Sequence, residues 1–373
     1  MNYGGCEENM ERTKNALIAM SGGVDSSVAA YLIKSQGFQC EGATMRLYRN
    51  EDIGLNQFHT CCSQRDIDDA AEVAFRLDLP YEVLDFTSDF SEKVIQKFVH
   101  TYELGETPNP CINCNRYLKF DKLLDTAESK GLFYIVTGHY ARVEFDTDSG
   151  RYLLKKAVDS GKDQSYVLYS MTQEQLSHTL FPLGTLRKTQ VRELASKLKL
   201  VTARKHDSQD ICFIPDGNYG AFLERYTGKS YSPGAFLDRT GAVIGQHRGA
   251  VRYTLGQRKG LGLALGRPVY VCGKNMKDNT VTIGDQDSLL SRELLAQDVN
   301  WISVPSLNAP MRIQVKTRYH QPEQLTTVFP HGTGEFRLKF DSPQRAVTPG
   351  QAVVLYDGDC VVGGGTIKET SDL

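Results

Sequence analysis

The sequence predicts an α/β protein with an N-terminal doubly wound parallel sheet, a small central domain and a C-terminal β-barrel. Three observations carry this. Strand-like apolar runs alternate with helical patterns through the first 140 residues. From about Gly217, glycine-rich turns and short alternating runs replace that rhythm. From about Leu289, MRIQVKTRY, QLTTVF, GEFRLKF and QAVVLYDG follow as strand-length alternations with turn residues between them. A chain of 373 residues is too long for one ordinary core. The expected divisions are 1–214, 215–288 and 289–373.

Ala16–Met20 is an apolar run of strand length, and Val24–Lys34 reads as the helix after it. Cys40–Leu47 is strand-like. Ile67–Leu77 is helical, because Ile67, Ala70, Ala71, Ala74 and Leu77 fall on one face. Tyr81–Phe86 reads as strand, Phe90–Tyr102 as helix, Phe120–Ser129 as helix and Phe133–Thr137 as strand. This β-α-β-α order calls for a parallel sheet, and such sheets bind ligands at the carboxyl ends of their strands. No internal repeat or low-complexity segment interrupts it.

Hydrophobic residues at 40% and charged residues at 24% are ordinary for a soluble globular protein. The N-terminus is polar and acidic, with no secretory core, and no run approaches the roughly 20 apolar residues that cross a bilayer. A cytoplasmic, membrane-free protein is expected, and a monomer. A net charge of −2 means that any nucleic-acid partner must meet a local basic patch. Nine cysteines without a secretory signal read as thiols, metal ligands or catalysts before structural disulfides.

The stretch MSGGVDSS, residues 20–27, joins the first strand to the first helix. Gly22 and Gly23 permit a tight turn and close approach to a ligand. Ser21, Ser26 and Ser27 offer hydroxyl donors, and the helix N-terminus adds free N–H groups and positive potential. The lysine of a Walker loop is missing. Asp25 is suited to Mg²⁺ or to capping the helix. The string looks like the pyrophosphate-loop signature Ser-Gly-Gly-x-Asp-Ser. That signature marks enzymes that split ATP between the α and β phosphates, among them tRNA thiolases, tRNA lysidine synthetases, GMP synthetases and argininosuccinate synthetases.

In GETPNPCINCNRYLKFDKLL, Cys111 and Cys114 stand three apart before a helix, whose N-terminus is expected to lower a thiol pKa. Pro108 and Pro110 hold the approach extended. Cys212 follows in HDSQDICFIPDG. Three chemistries compete. A structural zinc site would add Cys212 and one of Cys61, Cys62 or a histidine to the pair. A Cys-x-x-Cys redox disulfide is the second. The third is sulfur transfer, with one cysteine carrying a persulfide and another resolving the product as a disulfide. Cys61 and Cys62 are adjacent, would point apart in an extended segment, and read as partly buried thiols.

AMSGGVDSSVAA, GATMRLY, TPNPCINCNRYLKF, TGHYAR, KDQSYVLYSM, DSQDICFIPDG and YTLGQRKGLG occur in this order. The chain thereby resembles the bacterial tRNA-uridine 2-sulfurtransferases, or 2-thiouridylases, from about residue 14 to about 365. The resemblance implies an adenine nucleotide hydrolase-like first domain and ATP-dependent 2-thiolation of a tRNA wobble uridine. In that scheme the C2 oxygen is adenylated and a cysteine persulfide displaces AMP. The same resemblance implies that ATP meets Ala19, Met20, Ser21, Gly22, Gly23, Val24, Asp25, Ser26, Met45 and Gly138. Cys114 matches the nucleophile, and Cys212 the persulfide carrier. Asn109, Pro110 and Cys111 match the stretch at the target base. His139, Lys162, Asp163, Gln164, Arg318, Tyr319 and Gln351 match positions associated with tRNA contact. ATP, Mg²⁺, tRNA and a sulfur donor, a cysteine desulfurase or relay protein, are implied with it. Many relatives carry Asp at the position of Cys111. Some tRNA thiolases with this loop suggest a different scheme, in which Cys111, Cys114 and Cys212 hold a 4Fe–4S cluster with one iron open to sulfide.

Ten basic residues lie between Arg225 and Lys277, opposed within that window by Asp238 alone, and seven between Arg187 and Lys205, opposed by Glu193. Both runs are candidate RNA-facing surfaces, the first with glycines interleaved in TLGQRKGLGLALGR. Other readings are a lysidine synthetase, which has no use for paired thiols, and a 2-thiocytidine synthetase, which leaves the long β-rich half unexplained. A zinc-stapled RNA-binding protein without catalysis is the non-enzymatic alternative.

Overall fold

A computed structural model describes residues 14–53, 64–205 and 211–372. Contacts group the chain into two units. The first comprises residues up to 93, 111–215 and 359–361, and the second comprises 94–110, 216–358 and the residues from 362 on.

In the first unit, β1 (Asn15–Ala19) is the apolar run NALIA, buried on both faces as parallel strands are. It lies between β2 (Gln39–Arg46) and β4 (Tyr134–Val136), and β3 (Tyr81–Asp85) and β7 (Thr179–Leu180) complete the order β3-β2-β1-β4-β7. Every pairing is parallel. The chain builds outward from β1 to β3 and then returns to the other side of β1. The crevice beyond the ends of β1 and β4 is therefore the topological switch point, where such sheets take ligands. Helix α1 (Val24–Ser35) buries Val28, Ala29, Ala30 and Ile33. Helix α2 (Gln64–Arg76) buries Ile67, Ala70 and Ala74 of the predicted face together with Val73, while Ala71 and Leu77 are half-buried.

Residues 87–103 are helical throughout (α3), with a π-type stretch at Ser91–Ile95. Residues 110–129 form α4, which starts ten residues before the predicted Phe120 and carries a π-type stretch at Asn115–Lys122. Two strands not anticipated from the sequence, β5 (Ala141–Asp146) and β6 (Arg151–Lys156), pair as an antiparallel hairpin. Helix α5 (Lys188–Lys197) packs Val191 and Ala195 into the core of this unit.

In the second unit, helix α6 (Tyr219–Thr227) accompanies a four-stranded sheet. Its strands are β8 (Gly234–Leu237), β9 (Val243–His247), β10 (Tyr270–Asn275) and β11 (Thr280–Gly284), in the order β10-β11-β8-β9. Phe236, Tyr253, Val271, Val281 and Ile283 fill it.

The last six strands are β12 (Leu290–Trp301), β13 (Met311–Lys316), β14 (Gln324–Pro330), β15 (Phe336–Arg345), β16 (Ala352–Asp357) and β17 (Cys360–Asp372). They run β12-β15-β14-β13-β16-β17, and β17 pairs back onto β12, closing a barrel. Alternation decides which side chains enter: in MRIQVK, Ile313 and Val315 are buried while Arg312 and Gln314 are exposed.

Segment 105–110 is tied to this unit. The Thr107 N–H donates to the Pro349 carbonyl (2.9 Å), and the Gln351 amide donates to the carbonyls of Thr107 (2.8 Å) and Pro108 (3.2 Å). Among the described residues no helix is long and apolar enough to cross a membrane.

Candidate active site

The turn after β1 is built by close approach. Gly22 has φ +68°, and a Cβ there would lie 2.1 Å from the Asp66 carbonyl oxygen. Gly23 is the N-cap of α1, with extended backbone and no side-chain cap. The first-turn N–H groups that follow have no intrahelical acceptor, which makes this helix end an anion cradle. Gly138, just past β4, faces it: a Cβ at Gly138 would sit 2.8 Å from the Ser26 nitrogen. Glycines from the ends of two neighbouring strands thus line the crevice at the switch point.

The serines differ from expectation. Ser26 and Ser27 are buried, and both hydroxyls donate back to the Gly23 carbonyl (3.1 and 2.8 Å). Ser27 also accepts from Thr202 Oγ1 (3.0 Å). They brace the turn from inside, and Ser21 is the exposed one.

Asp25 does not cap the helix. Its carboxylate accepts from Lys188 Nζ at 2.8 and 2.7 Å and from the Tyr140 hydroxyl at 2.7 Å. Lys205 donates to the Gly22 carbonyl (2.8 Å) and pairs with Asp66 (2.7 Å) and Asp69. Burial works to lower the Lys205 pKa, but the two carboxylates outweigh it and the net shift is upward. The basic run 187–205 was expected to face RNA. Its Lys188 and Lys205 turn inward to the glycine turn instead, because a cation in this cleft finds carboxylates that the sequence places far away.

Helix α4 opens with Pro110 at its first position, where a missing N–H costs nothing. Cys111 in the first turn is exposed, while Cys114 is 8% exposed. Burial pushes the Cys114 thiol up, with Lys119 pulling it down and Cys111 adding to the rise. The helix N-terminus was expected to lower it; Cys114 lies a full turn in, and desolvation wins. This gives a measurable outcome. In the folded protein, the alkylation rate of Cys114 by iodoacetamide should keep rising past pH 9, whereas in denaturant it levels off there. A folded-state rate that plateaus below pH 9 overturns the assignment.

Cys212 is half-buried, and its carbonyl accepts from the Tyr48 hydroxyl (2.7 Å). Cys111, Cys114 and Cys212 are all outside disulfides. Among the described residues no three His, Cys, Asp or Glu side chains stand close enough to hold a metal ion. These cysteines therefore do not form a ready-made zinc or iron–sulfur site, and Mg²⁺, expected at Asp25, meets a carboxylate already engaged. Cys61 and Cys62 lie outside the described residues.

Several positions implied for tRNA contact hold the scaffold in this structure. His139 is buried against Phe120 and Phe181, with Nδ1 2.7 Å from Thr137 Oγ1. Burial first, then Lys119, holds its pKa well below the usual imidazole value. Gln164 and Tyr140 exchange hydrogen bonds: the Tyr140 N–H donates to Gln164 Oε1 and the Gln164 N–H to the Tyr140 carbonyl, both at 2.9 Å. Asp163 accepts from the N–H groups of Ala157 and Ser165, and the Lys162 N–H donates to the Asp159 carbonyl. Arg318 donates to the Ala346 carbonyl (2.6 Å) and Thr348 Oγ1 (2.8 Å). Tyr319 packs edge-on to His320 at 4.7 Å. Met45 sits on β2, paired with Leu84 of β3.

The run Arg225–Lys277 is less free than its sequence suggests. Arg252 pairs with Glu224, Lys229 with Glu103 and Arg225 with Asp216. Burial lowers the Lys274 pKa to about 8, with Glu106 pulling it back up. What remains is an open groove of about 410 Å³ lined by Arg258, Gly260, Gly262, Gly266 and Arg267 among others. Asp66, Tyr140 and Thr202 are site residues the sequence did not single out, and Lys188 and Lys205 were read there only as part of a basic run. Of these, Tyr140 alone stood in a quoted motif.

A parallel sheet that ends in a braced glycine turn, carried on one chain with a cysteine helix and a β-barrel, defines an enzyme of the HUP class. Family models match residues 14–216 as a tRNA methyl transferase HUP domain, 220–285 as a tRNA methyl transferase PRC-barrel domain and 291–367 as an aminomethyltransferase beta-barrel domain. The tRNA-specific 2-thiouridylase MnmA of Acetivibrio thermocellus is 50% identical over 356 residues, 95% of this chain and 99% of that protein. The tRNA-specific 2-thiouridylase MnmA of Clostridioides difficile is 46% identical over 361 residues, 97% of this chain and 100% of that protein. This chain belongs to the tRNA-specific 2-thiouridylase family.

Proposed function

We propose that this enzyme replaces the C2 oxygen of the wobble uridine in tRNA with sulfur, using ATP to make that oxygen a leaving group. The observation that carries the reading is the Gly22–Gly23 turn at the N-terminus of α1, approached by Gly138 at the switch point of the sheet. ATP is the substrate suited to such a cradle. The C2 oxygen attacks the α-phosphate and pyrophosphate departs, its charge met by the first-turn N–H groups. Uridine is then held as an O-adenylate.

A persulfide on Cys212, delivered by a cysteine desulfurase or relay protein, adds its outer sulfur to C2, and AMP leaves with the oxygen. The Cys114 thiolate attacks Cys212 Sγ, which frees the C2 thiocarbonyl and leaves a Cys114–Cys212 disulfide. An external dithiol must reduce that disulfide before the next turnover. Burial pushes the Cys114 pKa up, so the thiol must give up its proton as it attacks Cys212 Sγ. Asn109, Pro110 and Cys111 meet the target base, which must leave the anticodon stack to reach them. The open groove at Arg258 and Arg267 adds phosphate contacts. The division 1–214, 215–288, 289–373 gives these tasks separate domains in a cytoplasmic monomer.

The purified enzyme, given tRNA, ATP and a persulfide donor, should release AMP and pyrophosphate in step with 2-thiouridine, read by nucleoside mass spectrometry. Formation of ADP, or 2-thiouridine without nucleotide consumption, overturns the reading.

A further inference from the structure

The glycine turn contains no lysine: after Gly23 the chain reads Val24-Asp25, where a Walker loop carries its phosphate-binding cation. The fold brings one from 163 residues away. Lys188 is the first residue of α5, and its side chain is 10% exposed. Its main-chain N–H is fixed by Asp159 Oδ2 (2.9 Å), and its ammonium lies 5.7 Å from the centre of the Tyr140 ring. Nζ reaches both oxygens of Asp25.

This pair is not explained by stability. Asp25 sits in the first turn of α1, where free N–H groups and the helix dipole already favour a carboxylate, and Tyr140 donates to it as well. Enclosing an ammonium is costly, and a buried ion pair is weak evidence for stabilisation. The same ammonium stands at the N-terminal turn of α1, where free N–H groups suit a second anion.

We propose that Lys188 is the cation for the departing pyrophosphate, binding the β- or γ-phosphate of ATP while Asp25 keeps the ammonium aimed. This rests on the nucleotide reading above. An Asp25-bound ammonium can reorient over one carboxylate-sized distance without moving α5. A lysine supplied from α5 would restore to this loop the charge its own sequence lacks, and it would act on triphosphate but not on AMP.

The test compares ATP and AMP affinities by isothermal titration in the wild-type chain, Lys188→Gln and Lys188→Arg. Glutamine is one bond shorter, keeps an N–H donor for Asp25 and removes the charge. Lys188→Gln should weaken ATP by roughly 10–100-fold, the value of one charge-assisted contact, and leave AMP within about 2-fold. Lys188→Arg should recover most of the ATP preference. Equal losses for both nucleotides, or no loss for either, overturn the proposal. A wild-type chain that binds neither nucleotide overturns the nucleotide reading itself, and this with it.

Should Lys188→Gln not fold, the wild-type chain gives the answer alone. An acyl-phosphate derivative of ATP transfers its acyl group to the amine nearest the terminal phosphate, releasing ATP as an amide forms. Peptide mass spectrometry should find that label on Lys188; labelling of other lysines but not Lys188 sinks the proposal.

Discussion

Cys114→Ser is expected to lose 2-thiouridine formation by on the order of 10³-fold or more while still forming AMP in the presence of tRNA. In the proposed scheme adenylation uses the glycine turn after β1, whereas resolution of the persulfide uses a thiolate in α4, so the two steps should separate. Serine fits the space of cysteine, and Cys114 is nearly buried, so the variant should fold. Its hydroxyl is too weak a nucleophile to cleave the mixed disulfide. The uridine should then remain joined to Cys212 through two sulfurs, a species visible as a protein–RNA adduct that reductant releases. Full thiolation by Cys114→Ser, or loss of AMP formation together with thiolation, would remove Cys114 from the resolving role. Cys212→Ser should give neither adduct nor product.

Gly22→Ala should cost about 3 kcal/mol of stability. Roughly 1 kcal/mol comes from placing a Cβ at φ +68°. Another 1–3 kcal/mol or so comes from overpacking against the Asp66 carbonyl, a main-chain atom that cannot step aside. Gly37→Ala is the control, since φ there is +83° and nothing lies within 4 Å of the added carbon. Denaturant unfolding should show the small strain term for Gly37→Ala and the sum for Gly22→Ala, which also loses nucleotide turnover. Equal destabilisation of the two variants would mean that the contact with α2 contributes nothing.

Much of the first sheet is legible in the sequence because its signals are local. Burial on both faces makes β1 a continuous apolar run, and the 3.6-residue period of α2 survives in Ile67, Ala70 and Ala74. β13, β14 and β15 declare themselves by alternation, and β16 by a continuous apolar run. The elements that escaped notice lack such a period. β12, LSRELLAQDVNW, mixes charge with helix-favouring residues, and register shifts break its pairing with β17. β17 begins CVVGGG, which reads as turn, yet Gly363 and Gly365 are needed where the β12 backbone would meet a Cβ at 2.5 and 2.8 Å. The early start of α4 is hidden because CINCNRY has no apolar stripe.

The glycine turn and the thiols were visible as strings, but their electrostatics were not. Lys188 and Lys205 reach partners 163 and 139 residues away, and no window of sequence contains both halves of either pair. The same holds for Lys229 and Glu103, 126 residues apart, so counting charge along a run overstated the free basic surface. The direction of the Cys114 shift depends on burial, which spacing before a helix does not reveal.

The hydrogen bonds that join Thr107 and Pro108 to the Pro349 carbonyl and the Gln351 amide span more than 240 residues of chain. A ribosome making this protein releases the peptide that leads into the Cys111–Cys114 helix long before it makes the residues that fasten it. A chain cut short before Pro349 would therefore carry the glycine turn after β1 yet leave Thr107 and Pro108 without these fastenings.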